Sequence, residues 1–201
     1  MPFRNRPATP DEALARLLEG NRRFVDGAPR APVPSAERIE LASGQNPFAV
    51  VLGCSDSRVP IETIFDQQPG DLFVVRIAGN FVSDDGLASI EYAIAVLSCE
   101  LVVVLGHTAC GAVQAALQSI EDGTRFQGHI QRLADAIAPA ANRARTLDGD
   151  WYDNAIIENV RDSASSTLGR SDIVSAAVKG GLVRVVGARY DLRSGQVHLV
   201  E

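Results

Sequence analysis

Residues 48–58 read FAVVLGCSDSR: an apolar run that ends in a turn carrying a thiol, a carboxylate and a guanidinium. An unbroken apolar run of this length, without polar alternation, fits a strand buried on both faces. A second run of the same character, LVVVLG at 101–106, leads into HTACG at 107–111. LFVVRI at 72–77 and LVRVVGA at 182–188 read as two more such strands. Helical patterns separate them: a short one over Pro60–Asp66, one capped by Ser83 and running to about Ser98, one over Gly111–Ile120, and several between 128 and 179. The tight turn Arg193–Gln196 then returns the chain as a short antiparallel strand, Val197–Val200. Strands alternating with helices predict an α/β fold. The expected sheet is mostly parallel, with about four parallel strands and a short antiparallel edge strand, and is flanked by helices.

Upstream, Thr9-Pro10-Asp11-Glu12 forms a capping box with proline at the first helical position, which predicts a helix to about Val25 stopped at Gly27. A Pro-rich connector over 28–34 should be extended, and a short helix from Ser35 to about Ala42 should follow it. Such a connector would let the first helix act as an extended N-terminal arm, reaching away from the body onto a second subunit.

The 201 residues, 46% hydrophobic and 22% charged, suit one domain with an ample core. A net charge of −6 with scattered basic residues argues against nucleic acid as a partner. No apolar run is long enough to cross a bilayer and the N-terminus lacks a secretory pattern, so the expectation is a cytoplasmic protein without a membrane partner. Three cysteines, Cys54, Cys99 and Cys110, are an odd count without disulfide-scaffold density, and reduced thiols follow.

In open α/β sheets, chemistry gathers at the carboxyl ends of strands. If the strands at 48–53 and 101–106 are neighbours, Cys54, His107 and Cys110 converge. Two thiolates and an imidazole suit tetrahedral Zn2+, and three protein ligands leave the open position of a catalytic site. Two thiolates also cancel the formal charge of the ion, so such a centre needs help in activating water. Asp56 can accept a hydrogen bond near the open position or ligate the ion, and Arg58 can hold it ionised and oriented. The competing reading is a solvated ion pair. Cys99 at a helix end reads as a small buried hydrophobe, and His129 and His198 as surface or structural residues.

Cys54-x-Asp56-x-Arg58 together with His107-x-x-Cys110 resembles the β-class carbonic anhydrases, and the resemblance spans essentially the whole chain. It implies one zinc ion per subunit held by Cys54, His107 and Cys110. Asp56 is implied as a fourth metal ligand in a closed state, or as the partner of Arg58 in an open one. The implied reaction is reversible hydration of carbon dioxide to bicarbonate and a proton by zinc-bound hydroxide, gated by the Asp56/Arg58 dyad. The resemblance further implies substrate contacts from the Gly111 amide and Gln45, with Phe73 and Tyr92 walling a slot across a homodimer or higher even-numbered assembly. Phe73 and Tyr92 also fit the buried pattern of their elements, so a core role competes. Family members with a bicarbonate-inhibitory site carry Trp where this chain has Val51, although Arg76, similar to another element of that site, is present.

The expected division is a helical arm with connector at 1–34 and a single α/β zinc-binding catalytic domain at 35–201. Two alternatives keep the zinc: hydrolysis of carbonyl sulfide or carbon disulfide on the same fold, and a non-catalytic zinc-stabilised module. A nucleobase deaminase would need H-x-E and P-C-x-x-C, and a zinc alcohol dehydrogenase a G-x-G-x-x-G turn; the sequence contains none of these.

Overall fold

A computed structural model describes residues 6–201; the first five residues of the expected arm lie outside the described residues. Among the described residues, five strands form one sheet: β1 (Ala49–Gly53), β2 (Leu72–Arg76), β3 (Leu101–His107), β4 (Arg184–Tyr190) and β5 (Val197–Val200). Their order is β2-β1-β3-β4-β5, parallel throughout except for antiparallel β5. Among the described residues, eight helices flank them: α1 (Pro10–Val25), α2 (Ser35–Leu41), α3 (Ile61–Ile64), α4 (Asp84–Ala95), α5 (Gly111–Glu121), α6 (Ile130–Ala144), α7 (Trp151–Gly169) and α8 (Asp172–Lys179). The fold is therefore the expected mostly parallel α/β sheet.

The unbroken apolar strands are explained by two cores. Ala49 and Val51 of β1, with Leu101, Val103 and Leu105 of β3, face one core; Val50, Leu52, Val102 and Val104 face the other. Every residue of β1 and β3 is buried, and all are apolar or glycine up to the final one, His107. Gly106 and Gly187 bring α7 close to the sheet: a Cβ at either would stand 2.5 Å and 2.7 Å from methyls of Val160.

Element ends differ from the sequence reading where carbonyls need caps. α4 stops at Ala95, not Ser98, because the Leu97 N–H reaches the Tyr92 carbonyl and Cys99 N–H that of Ala93, with Ser98 left-handed at φ 55°. β4 begins at Arg184, not Leu182, because the N–H groups of Leu182 and Val183 both turn back to the Ala177 carbonyl at the end of α8.

The expected cap forms with its return bond displaced by one residue: Thr9 accepts from the Glu12 N–H at 3.2 Å, and the Glu12 carboxylate accepts from the N–H of Ala8, before the cap, at 2.9 Å. The N-terminal helical arm is present as α1, and within one chain it is seated on the chain's own sheet. Ala13, Leu14 and Leu17 are buried in one core with Phe48, Ile64 and Phe65. Asn21 donates to the carbonyls of Ile64 (3.1 Å) and Gly195 (2.9 Å) and accepts from Val197 N–H (2.9 Å), fastening the helix to its own sheet. The connector is held as well, by the Arg30 N–H on Asp66 at 3.0 Å.

Candidate metal centre

β2 and β3 lie on opposite sides of β1, so the crossovers after β1 and β3 diverge and leave a crevice at the carboxyl ends of those strands. Cys54 follows β1, His107 ends β3, and Cys110 is the residue on which α5 begins. Their ligand atoms all lie within 4.8 Å of one another, and all three side chains are buried.

His107 identifies what the crevice is built for. Its Nδ1 stands 2.9 Å from the Thr108 carbonyl, which can only accept, so Nδ1 carries the proton and Nε2 a bare lone pair. That Nε2 is fully buried without a hydrogen-bond partner. A buried acceptor left unpaired beside two sulfurs is costly in a metal-free protein and is the donor that a cation requires.

The thiols agree. Cys54 Sγ accepts from Gly79 N–H at 3.3 Å. Hydrogen bonding from Cys110, with smaller help from the Gly79 and Asp56 backbone, draws the Cys54 thiol well below its usual range. The same contact and burial push Cys110 up. One anion is accommodated readily, and a second demands a positive charge between them. The residues present fit a zinc ion. Between the two ligands of the β3 turn, Ala109 is left-handed at φ 55°, a conformation costing about 1–2 kcal/mol.

Asp56 stands just outside this trio, Oδ2 being 3.9 Å from His107 Nε2. Its carboxylate is turned to Arg58: Nε to Oδ1 at 2.9 Å, Nη2 to Oδ2 at 2.7 Å, and the Arg58 backbone N–H also to Oδ1 at 2.9 Å. This fork, ahead of all other influences, holds the carboxyl far below the usual carboxylate range. Arg58 Nη2 also donates to the Ala109 carbonyl at 3.1 Å, so one guanidinium joins both turns. Arg76 holds the turn from β2, donating to the carbonyls of Cys54 (3.0 Å) and Asp56 (2.7 Å).

The remaining expected residues are distributed differently. Gly111 opens α5, and a Cβ there would meet nothing within 4 Å, so protein crowding does not demand glycine. Gln45 is exposed in the loop before β1. Phe73 on β2 and Tyr92 on α4 face each other with ring centroids 6.1 Å apart. Tyr92 is 48% exposed, which removes the core reading for that ring. Among the described residues, no hydrogen bond joins Gln45, Phe73 or Tyr92 to the Cys54–His107–Cys110 cluster. Cys99 is buried as expected, whereas His129 and His198 are exposed. Val51 is part of the core.

Sequence reading missed Tyr152 and Asn159 of α7. Tyr152 Oη donates to the Cys110 carbonyl at 2.7 Å, and Asn159 Nδ2 to that of Gly79 at 2.8 Å. No spacing rule connects a helix at 151–169 to turns at 54, 79 and 110. The available signal was a polar residue, Asn159, at helical spacing from Ala155, Ile156 and Val160, a weak one because Ser163 and Thr167 follow on the same face.

The fold and this crevice describe an α/β protein with a buried Cys2His group that could hold a metal ion. Residues 49–197 match the family model described as carbonic anhydrase. The chain is 43% identical over 191 residues to carbonic anhydrase 2 of Mycobacterium tuberculosis, covering 94% of this chain and 92% of the relative. Carbonic anhydrase of Mycolicibacterium smegmatis is 38% identical over 193 residues, covering 96% and 94%. Among solved structures, the Coccomyxa β-carbonic anhydrase in complex with acetazolamide superposes with a TM-score of 0.72 at 29% identity, covering 93% of this chain and 86% of that one. One of the two tetrameric β-carbonic anhydrases of Sordaria macrospora also gives 0.72 at 29%, covering 81% and 85%.

The chain belongs to the β-class carbonic anhydrases. The general reaction of that family, a lyase family that depends on zinc, is hydration of carbon dioxide. Among the described residues, no helix is long and apolar enough to cross a membrane.

Proposed function

We propose that this chain catalyses the reversible hydration of carbon dioxide to bicarbonate and a proton, with one zinc ion per subunit held by Cys54, His107 and Cys110. The observation that carries this reading is the orphaned, buried His107 Nε2 aimed into the space between two thiols. Zinc bound there supplies Lewis-acid activation of water.

The other steps fall to the chain itself. His107 is kept protonated at Nδ1, with the Nε2 lone pair free, by its hydrogen bond to the Thr108 carbonyl. Asp56, ionised and forked by Arg58, accepts a hydrogen bond from the attacking water and so orients its lone pair toward carbon dioxide. Arg58 holds the carboxylate back from the cluster; released from Arg58, Asp56 would turn toward it and close the site. The Gly111 N–H, at the start of α5 where helical donors lack partners, is directed to a substrate oxygen. Gln45, Phe73 and Tyr92 complete a narrow slot when a second copy packs against the β2 and α4 edge, giving a homodimer or a larger even-numbered assembly. Residues 35–201 form the catalytic domain of this account, and 1–34 the segment that carries α1 and the connector.

The test is stopped-flow carbon dioxide hydration by zinc-loaded protein, run in parallel with carbonyl sulfide. Asp56→Ala and Arg58→Ala are each expected to keep one zinc per chain and to lose about 10–100-fold in kcat/KM. Full activity of Asp56→Ala would remove the gating role. Turnover of carbonyl sulfide without carbon dioxide would replace the substrate.

A further inference from the structure

α7 supplies no metal ligand, yet two of its side chains end on the peptide groups that hold the two cysteines. Tyr152 Oη donates to the carbonyl of Cys110 itself at 2.7 Å. Asn159 Nδ2 donates at 2.8 Å to the carbonyl of Gly79, and the N–H of that same residue donates to Cys54 Sγ at 3.3 Å. Residues seven apart return to one helix face, so both bonds leave α7 from the side turned to the crevice.

The Asn159 link is built rather than incidental. Asn159 is 2% exposed, and its amide would be expensive to bury without a partner. Gly79 sits at φ +83°, and a Cβ on it would stand 2.5 Å from Ile137 Cδ1, so the position excludes a side chain. Asn80 beside it is left-handed at φ 43°. This strained turn keeps its N–H on the sulfur because Asn159 holds its carbonyl from behind. α7 is itself held close to the sheet at Gly106 and Gly187, so its position is transmitted to both cysteine turns.

We infer that Tyr152 and Asn159 are positioning residues for the two sulfur ligands, Tyr152 for Cys110 and Asn159, through Gly79, for Cys54. A hydrogen bond to a thiolate withdraws electron density from the sulfur. In a centre whose two thiolates neutralise the charge of the ion, that withdrawal preserves its electrophilicity. The inference rests on the proposed zinc ligands and adds the residues that aim them.

The test compares zinc-loaded wild-type protein with Tyr152→Phe, Asn159→Ala and Thr167→Ala. The last removes a buried hydroxyl that bonds within α7 to the Ser163 carbonyl, two turns beyond Asn159. Zinc release to an excess of a colorimetric chelator is timed, and the thiolate-to-cobalt charge-transfer band of the Co2+-substituted proteins is recorded. Tyr152→Phe and Asn159→Ala are expected to bind one metal per chain, to release zinc about 10–100-fold faster, and to shift the cobalt band. Thr167→Ala should release zinc at the wild-type rate. If Tyr152→Phe matches wild type in both rate and spectrum, the inference is overturned, whether or not Asn159→Ala folds. It is overturned too if Thr167→Ala accelerates release as much, since general loosening of α7 then explains the effect. A wild-type chain that takes up no zinc removes the ligand reading itself, a result distinct from either of these.

Discussion

Three cysteines lie in one chain, and their surroundings assign them different chemistry. Cys99 is 1% exposed, its S–H reaches the Pro47 carbonyl at 3.3 Å, and burial pushes its thiol up to about 12. Cys54 accepts a backbone N–H, and hydrogen bonding from Cys110 favours its thiolate. The expected outcome of mild alkylation on folded, chelator-treated protein is therefore labelling at Cys54 and none at Cys99, read by peptide mass. Labelling of Cys99 ahead of Cys54 would contradict the assignment. This distinction was legible in the sequence, because Cys54 and Cys110 follow strand ends and Cys99 does not. The Asp56–Arg58 fork was legible for the same reason, two residues of spacing in one turn being enough to bring the groups together. Tyr152, Asn159 and Gly79 were not legible. Their roles depend on how close α7 comes to the sheet, which is set by space at Gly106 and Gly187 and by Ile137 behind Gly79, and no local pattern encodes those clearances.

Among the elements, α1 is where a propensity argument and a packing argument oppose each other. Gly20 lies inside this helix, where alanine is favoured over glycine by about 1 kcal/mol. A Cβ there, however, would stand 1.8 Å from the Phe65 carbonyl oxygen and 2.8 Å from Gln67 Nε2. The backbone atom cannot move aside cheaply, so Gly20→Ala is expected to destabilise by about 1–3 kcal/mol in urea unfolding. Leu17→Ala, at a side chain 1% exposed, should cost about 2–5 kcal/mol. A gain in stability for Gly20→Ala would mean that α1 is not seated on the segment after α3. The helix itself was legible from its capping box and proline. Its docking was not, since a Pro-rich connector is compatible with either a free arm or a folded-back one. Asn21, which settles the matter by bonding to Ile64, Gly195 and Val197, looks in sequence like any polar residue on a helix.

At the scale of the whole molecule, strand order decides function. β1 and β3 are central and adjacent, so their two turns face one crevice, and the sequence made that adjacency a condition rather than a result. The opposite requirement holds at the β2 edge, where Tyr92 (48%) on α4 and Val96 (60%) just past its end are exposed, with Phe73 beside Tyr92. If a second copy covers this face, Val96→Asp should shift the protein toward monomer in sedimentation velocity and lower kcat/KM while zinc content stays unchanged; unchanged assembly would place the interface elsewhere. The account as a whole stands on the coordination of one ion by residues from two strand ends. Zinc K-edge X-ray absorption on the purified protein reads that coordination directly. The predicted spectrum has two sulfur neighbours at about 2.3 Å and one imidazole nitrogen at about 2.0–2.1 Å, with both sulfurs traced to Cys54 and Cys110 by their loss in the corresponding serine variants. A first shell of nitrogen and oxygen alone, or one that survives Cys54→Ser intact, would contradict it.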